Sequence, residues 1–168
     1  RREGIGLLLA AAMVWIGWGP ALAAEAAVAP MEEVSAKAAI CIDSATGTVV
    51  YEKNAYQALP VASVTKTMTL LLIFEEMERG TFGLNDMVTV SEEAAGMGGS
   101  QVLLDAGSSY PVGDLIESII VASGNDASVA MAEFVAGSHA NFVQRMNARA
   151  QEMGLTDAVF YNCTGLTT

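Results

Sequence analysis

Apolar positions along this chain fall into two kinds of spacing. Ala38-Ala39-Ile40-Cys41-Ile42-Asp43 and Thr48-Val49-Val50-Tyr51-Glu52 are β-favouring runs on either side of Ser44-Ala45-Thr46-Gly47. Gly supplies the turn there, so the opening is predicted to be a β-hairpin. Met87-Val88-Thr89-Val90 predicts one more short strand. Elsewhere the spacing is helical. Residues 63–79 suit a helix, and Gly80 stands where a C-terminal cap belongs. Leu70 to Phe74 is apolar nearly all round, which predicts a helix buried in the middle of the domain. Leu115, Ile116, Ile119 and Ile120 set the face of a helix over 112–121. A second is predicted over about 126–135, and an amphipathic one over about 138–153 ends at Gly154. Between the first two lies Ser123-Gly124-Asn125, and no internal repeat interrupts the series.

A chain of 168 residues suits one domain with a real core. The amino end is different in kind. Arg1-Arg2-Glu3, an apolar stretch from Gly4 to Gly19, Pro20 and then Ala21-Leu22-Ala23-Ala24 have the order of a signal peptide, assigned to residues 1–24. Cleavage after Ala23 satisfies the small-x-small rule, Ala24-Glu25-Ala26 offers a second site, and an uncleaved membrane anchor is the alternative. Each of these places the remainder outside the cytoplasm. Residues 25–35, rich in Ala, Pro and Glu, are expected to be a short linker, with the domain running over 36–168.

The formal charge of −11, from 19 acidic and 8 basic residues, disfavours nucleic acid as a partner and describes a solvated acidic surface. Cys41 and Cys163 form no Cys-x-x-Cys pair and have only His139 to help, so no metal site is expected. They are expected to be independent thiols, with a single disulfide as the alternative. The glycines at 96–99 are not followed by Gly-Lys-Ser/Thr, so they do not make a phosphate loop.

Ser63-Val64-Thr65-Lys66 changes the picture, because residues three apart on a helix share a face and Lys66 can reach Ser63. A serine hydroxyl is a weak nucleophile until a base takes its proton, and an amine can do so only when neutral. Burial lowers a lysine pKa and supplies that form. The helix N-terminus adds N–H groups that can steady an oxyanion. Ser-x-x-Lys alone is a weak signal, since about 0.2 such spacings arise by chance in a chain of this composition, and its bland alternative is a helix cap followed by a surface lysine. The second element is Ser123-Gly124-Asn125, where Ser123 could relay a proton and the Asn125 amide could align a peptide group. A Ser-His-Asp triad would need His139, which is expected to be exposed or capping at the start of its helix.

Ser-x-x-Lys followed by Ser-x-Asn is the set known from penicillin-binding proteins and class A β-lactamases. Leu59-Pro60-Val61-Ala62-Ser63-Val64-Thr65-Lys66-Thr67-Met68-Thr69 resembles the nucleophile segment of the low-molecular-mass D-Ala-D-Ala carboxypeptidases. Gly98-Gly99-Ser100-Gln101, Ala122 to Ala127 and Phe142 to Ala150 are similar to that family too, and the likeness runs from about Ala36 to Leu166. It implies an α+β, β-lactamase/DD-peptidase-like fold, with a helical cluster packed on an antiparallel sheet that is incomplete in this chain. It implies acyl transfer from a peptidoglycan stem peptide through a Ser63 ester, with β-lactams as inhibitors, possible membrane association, and no metal or organic cofactor. Lys66 is carried over as proton acceptor, Ser123 as a second active-site hydroxyl, and Asn125 as a substrate-orienting amide. Gly124 stands where β-lactamases usually have Asp, which favours the peptidase over that rival; a noncatalytic penicillin sensor is a rival of another class.

Two departures stand out. Asn162-Cys163-Thr164-Gly165-Leu166 carries Cys-Thr where many relatives have Pro-His. The family's third motif, Lys-Thr-Gly, is absent, since the lysines are Lys37, Lys53 and Lys66. The simplest expectation is truncation before that motif, leaving the 168-residue chain without the carboxylate-binding edge. Purified alone and incubated with a D-Ala-D-Ala peptide, it should release no D-Ala above background; measurable release would overturn this.

Overall fold

The computed structural model describes residues 34–167. The signal peptide expected at 1–24 lies outside the described residues, as does most of the 25–35 linker. Among the described residues no helix is long and apolar enough to cross a membrane. They form two units, one ending at Ala55 and the other beginning at Tyr56.

The first unit is the predicted hairpin. Strands β1 (Ala39–Ile42) and β2 (Val49–Lys53) pair antiparallel, Ala39 opposite Lys53 and Cys41 opposite Tyr51, with a register shift between Cys41 and Ile42. The turn is fixed by Asp43, whose Oδ1 accepts from Thr46 N at 2.8 Å and Thr46 Oγ1 at 2.7 Å. These bonds hold the Asp43 carboxyl below its ordinary pKa. Gly47 follows at φ +71°, a left-handed conformation that a Cβ would oppose. At the open end, Lys53 Nζ donates to Val34 O and Asn54 Nδ2 to Lys37 O.

The second unit is built around a helix that the sequence did not mark as central. After a 3₁₀ turn (Ala62–Thr65) come α1 (Lys66–Glu78), β3 (Met87–Thr89), α2 (Glu92–Ala95), β4 (Ser109–Pro111), α3 (Val112–Ala122), α4 (Asn125–Ala136) and α5 (His139–Glu152). Helix α4 packs against α1, α2, α3, α5 and β3. Its first eight residues, Asn125 to Ala132, are all buried. Ala127, Ser128, Ala130 and Ala132 are small enough for neighbouring elements to approach on several sides. Helix α1, expected in the middle because of its apolar run, instead leaves Phe74 45% exposed while burying Met68, Leu72 and Ile73. Apolarity all round marked the wrong helix, because small side chains let α4 be enclosed.

The other helices follow their patterns more closely. Val112, Leu115, Ile116 and Ile119 turn α3 inward, whereas Ile120, counted on that face from the sequence, is exposed. Phe142, Met146 and Ala150, one turn apart, do the same for α5. Helix α1 ends as expected at Gly80: its N–H reaches Met77 O, and Thr81 N–H reaches Glu76 O. Strand β3 pairs antiparallel with β4, Val88 opposite Tyr110, and Val88 is the inward residue. The unit is thus a cluster of helices packed with a small antiparallel sheet. On the surface of α1, Arg149 and Arg145 of α5 reach Glu75 and Glu76 at 2.9 and 3.2 Å. These part-exposed pairs set the register of α1 on α5 more than they stabilise it.

Phe142 is fully buried where α5 meets α4. Truncation leaves a cavity that the small-residue face of α4 cannot fill, so Phe142→Ala should cost about 3–5 kcal/mol in urea unfolding. A loss below about 1 kcal/mol would mean that the α4–α5 contact is not the core it is taken to be.

Candidate active site

The chain enters the site through Ala62, held at φ +48°, a left-handed conformation unusual for a residue with a side chain. The four residues that follow on do not open an α-helix, as the sequence suggested; Ala62–Thr65 is a 3₁₀ turn, and α1 begins only at Lys66. Side chains at i and i+3 eclipse in a 3₁₀ turn. Ser63 and Lys66 therefore stack, with Lys66 Nζ 3.2 Å from Ser63 Oγ. The serine is exposed, while the lysine is only 4% exposed.

Two more acceptors meet the Lys66 amine. Asn125 Oδ1 lies at 2.7 Å and the carbonyl oxygen of Thr164 at 3.0 Å. Among the described residues no carboxylate forms a salt bridge with Lys66. Burial pulls its pKa below the ordinary lysine value of 10.5, opposed only by the charge of a Cys163 thiolate. That opposition is empty at neutral pH, because burial pushes the Cys163 thiol up to about 12 and keeps it protonated. An ammonium would donate to all three oxygens. A neutral amine donates to Asn125 and Thr164 and turns its lone pair to the Ser63 hydroxyl.

Asn125 is the first residue of α4 and is 3% exposed. Its amide is oriented from both ends, since Nδ2 donates to Gly98 O at 2.7 Å while Oδ1 faces Lys66. Its backbone N–H donates to Ser100 O. One amide hydrogen remains for another partner. Gly99, at φ +75°, lies so close that a Cβ there would sit 2.8 Å from Asn125 Nδ2. Next in the chain, buried Asp126 accepts from the backbone N–H groups of Val102 and Leu104 at 3.1 Å and of Ala127 at 2.9 Å. Asp126 thus fastens the 98–104 segment beside Asn125. Ser123 caps α3 at φ +55°. The structure brings Ser63, Lys66 and Asn125 together, but Ser123 Oγ makes no hydrogen bond with any of them.

No side-chain pattern points to the Thr164 carbonyl, since backbone oxygens leave no mark on such patterns. The loop that presents it does leave one. Asn162 Oδ1 accepts from Thr164 N at 3.1 Å and Gly165 N at 2.6 Å, and Asn162 Nδ2 donates to Leu166 O. The result is a tight Asx-type turn. Gly165, at φ +77°, packs so closely on the 3₁₀ turn that a Cβ would collide with the Ala62 carbonyl. Thr69 Oγ1 holds the loop from α1 by donating to Cys163 O at 2.7 Å. Cys41 and Cys163 are both free thiols. Ser138, not His139, caps α5, and His139 is largely covered rather than exposed, its side chain 18% accessible. An open cleft of about 690 Å³ runs beside the turn, between 58–62 and 157–167.

The family model for D-alanyl-D-alanine carboxypeptidase, peptidase S11, matches residues 23–168. The chain belongs to this family. It is 50% identical over 132 residues to the D-alanyl-D-alanine carboxypeptidase DacF of Bacillus subtilis, covering 79% of this chain and 34% of DacF. The crystal structure of the DacD carboxypeptidase from Francisella tularensis superposes with a TM-score of 0.79 at 36% identity, over 82% of this chain and 33% of that one. Penicillin binding protein 5 from Haemophilus influenzae superposes at 0.78 and 34% identity, over 82% and 41%. The fold is therefore that of the DD-peptidases, and the chain spans about a third to two fifths of the length of these relatives.

The lowered Lys66 pKa has a consequence for stability. Between its folded-state value and 10.5 the folded protein binds fewer protons at this site than the unfolded chain, so stability rises with pH in that window. Relative to Lys66→Met, the wild type should gain stability as pH rises through it, with no gain above 10.5. Denaturant unfolding of both proteins at a series of alkaline pH values checks this; a constant or shrinking advantage would show that Lys66 is not destabilised as a cation.

Proposed function

We propose that this chain carries the acylating centre of an exported serine-type D-Ala-D-Ala carboxypeptidase acting on peptidoglycan stem peptides. The observation that carries the proposal is the Lys66 amine, buried and held by two neutral oxygens with its remaining direction on Ser63 Oγ. Family membership supplies the substrate class, and β-lactams are the expected inhibitors, in keeping with the name of the Haemophilus relative. Work on the cell wall, and through it on cell shape, takes place outside the cytoplasm, with or without membrane association.

In this mechanism neutral Lys66 takes the Ser63 hydroxyl proton as Oγ attacks the carbonyl carbon of the penultimate D-Ala. The oxyanion that forms is met by the Ser63 N–H, which has no acceptor among the described residues. The tetrahedral intermediate collapses, the C–N bond breaks, and the terminal D-Ala leaves with a proton relayed from Lys66, for which Ser123 at the edge of the site is the proposed carrier. Water then hydrolyses the Ser63 ester. Asn125 holds Lys66 through its oxygen and has one amide hydrogen left for a substrate carbonyl. No step requires a metal or organic cofactor.

Fluorescent penicillin should label the full-length protein at Ser63, and Ser63→Ala should abolish labelling. Lys66→Ala should slow it by about 10²–10⁴-fold, the usual loss on removing a general base. Normal labelling of Lys66→Ala would end the proposal. Free D-Ala from a stem pentapeptide distinguishes the carboxypeptidase from a sensor that acylates without turnover, and rapid hydrolysis of a chromogenic cephalosporin would point to a β-lactamase instead.

A further inference from the structure

We propose that His139 is a positioning residue for Lys66, acting through the backbone of Cys163 and Thr164; this rests on the acyl-transfer mechanism above. His139 bridges two elements at the start of α5. Its Nδ1 lies 3.0 Å from Glu93 Oε1 at the start of α2, and its Nε2 accepts from Cys163 N–H at 3.3 Å. Cys163 is fully buried, so its amide proton needs a partner inside the protein. A proline in this place would have no such proton, whereas cysteine does, and among the described residues only His139 accepts it.

The bonding pattern fixes the ring's state. Nε2 can accept only if it carries no proton, so the proton sits on Nδ1 and points at the Glu93 carboxylate. Cys163 is then gripped from both sides, its N–H by His139 and its carbonyl by Thr69 Oγ1. One residue further on, the Thr164 carbonyl takes a hydrogen from Lys66. With the Asn125 oxygen it occupies two of the amine's directions, which leaves the lone pair for Ser63. His139 thus works at one remove from the base.

Protonation of the ring would set a second N–H against the Cys163 N–H. A proton on Nε2 would therefore break the hold on Cys163. Lys66, Glu133 and Glu93 act on the buried Cys163 thiol, which stays protonated up to about 12. The placing of the Thr164 carbonyl on Lys66 therefore depends on the tautomer that leaves Nε2 free to accept.

The test uses two variants of the full-length protein. His139→Gln supplies an oxygen for Cys163 N–H and an amide for Glu93; it should keep most of the rate of penicillin acylation. His139→Leu should slow acylation by about 10- to 10²-fold at every pH, the scale of loss when a reacting group is misplaced by about an ångström. A merely structural histidine would lower thermal stability without changing the acylation rate of the folded protein. A Gln variant as slow as the Leu variant, or an unslowed Leu variant, would overturn the proposal. Nitrogen-15 NMR of the ring gives a readout that needs no activity: the proton should sit on Nδ1, and the Cys163 amide resonance should move in His139→Leu. If penicillin never acylates the wild type, the acyl-transfer mechanism falls while the ring spectrum still decides the His139–Cys163 bond; a proton on Nε2 would sink it.

Discussion

A buried amine whose described partners are all uncharged oxygens is the constraint on which the rest of the site depends. A lysine taken out of water ordinarily needs a carboxylate, because an unpaired buried cation is costly. A carboxylate would also defeat the proposed chemistry, since it stabilises the ammonium and raises the pKa. Lys66 is solvated instead by an amide oxygen and a peptide oxygen, with a hydroxyl in the third direction. These dipoles satisfy its hydrogens in either protonation state, so the neutral form stays within reach.

Supplying those dipoles requires three separate segments to converge, and the backbone has to come very close to let them. The 3₁₀ turn carries Ser63, the first turn of α4 carries Asn125, and the 162–166 loop carries the Thr164 carbonyl. Gly165 and Gly99 stand at the two closest approaches, one against the Ala62 carbonyl and the other against the Asn125 amide. Both sit at positive φ, so a side chain would be opposed by conformation as well as by space. Ala62, left-handed without being glycine, precedes Ser63, and Ser123, left-handed too, lies two residues before Asn125. Strain of this kind persists where surrounding structure over-determines it, and here the surroundings are the elements packed on α4.

The hairpin, the three long helices after residue 110 and the meeting of Ser63 with Lys66 were legible because each rests on side-chain patterning or on spacing along one element. The Gly80 cap was legible for the same reason. What escaped has a common cause in tertiary context. Strand β4 is three residues long and exists by pairing with Met87–Thr89, so its own sequence announces nothing. The centrality of α4 comes from small residues, which hydropathy scores less strongly than the leucines of α1. The Thr164 carbonyl and the His139–Cys163 bond join segments that are distant in sequence, through backbone atoms common to every residue. Asn125 was marked as chemically relevant, but a pattern shows what a residue can bond, not what it bonds, and much of its amide is committed to Lys66 and Gly98.

The arrangement of Asn125 and Asp126 shows how the fold keeps charge away from the amine without excluding it from the core. The two residues are adjacent at the start of α4 and both are buried, yet only the amide meets Lys66. The Asp126 carboxylate is turned to the N–H groups of Val102, Leu104 and Ala127, and the helix N-terminus favours a negative charge there. That carboxylate fastens the 98–104 segment, which in turn supplies the Gly98 oxygen that orients the Asn125 amide. A rotation that gave Lys66 the carboxylate in place of the amide would lock the amine as a cation and release the segment at once. The charge next to Asn125 in sequence is thus committed to backbone, and the Lys66 amine is left facing groups that cannot hold its proton permanently.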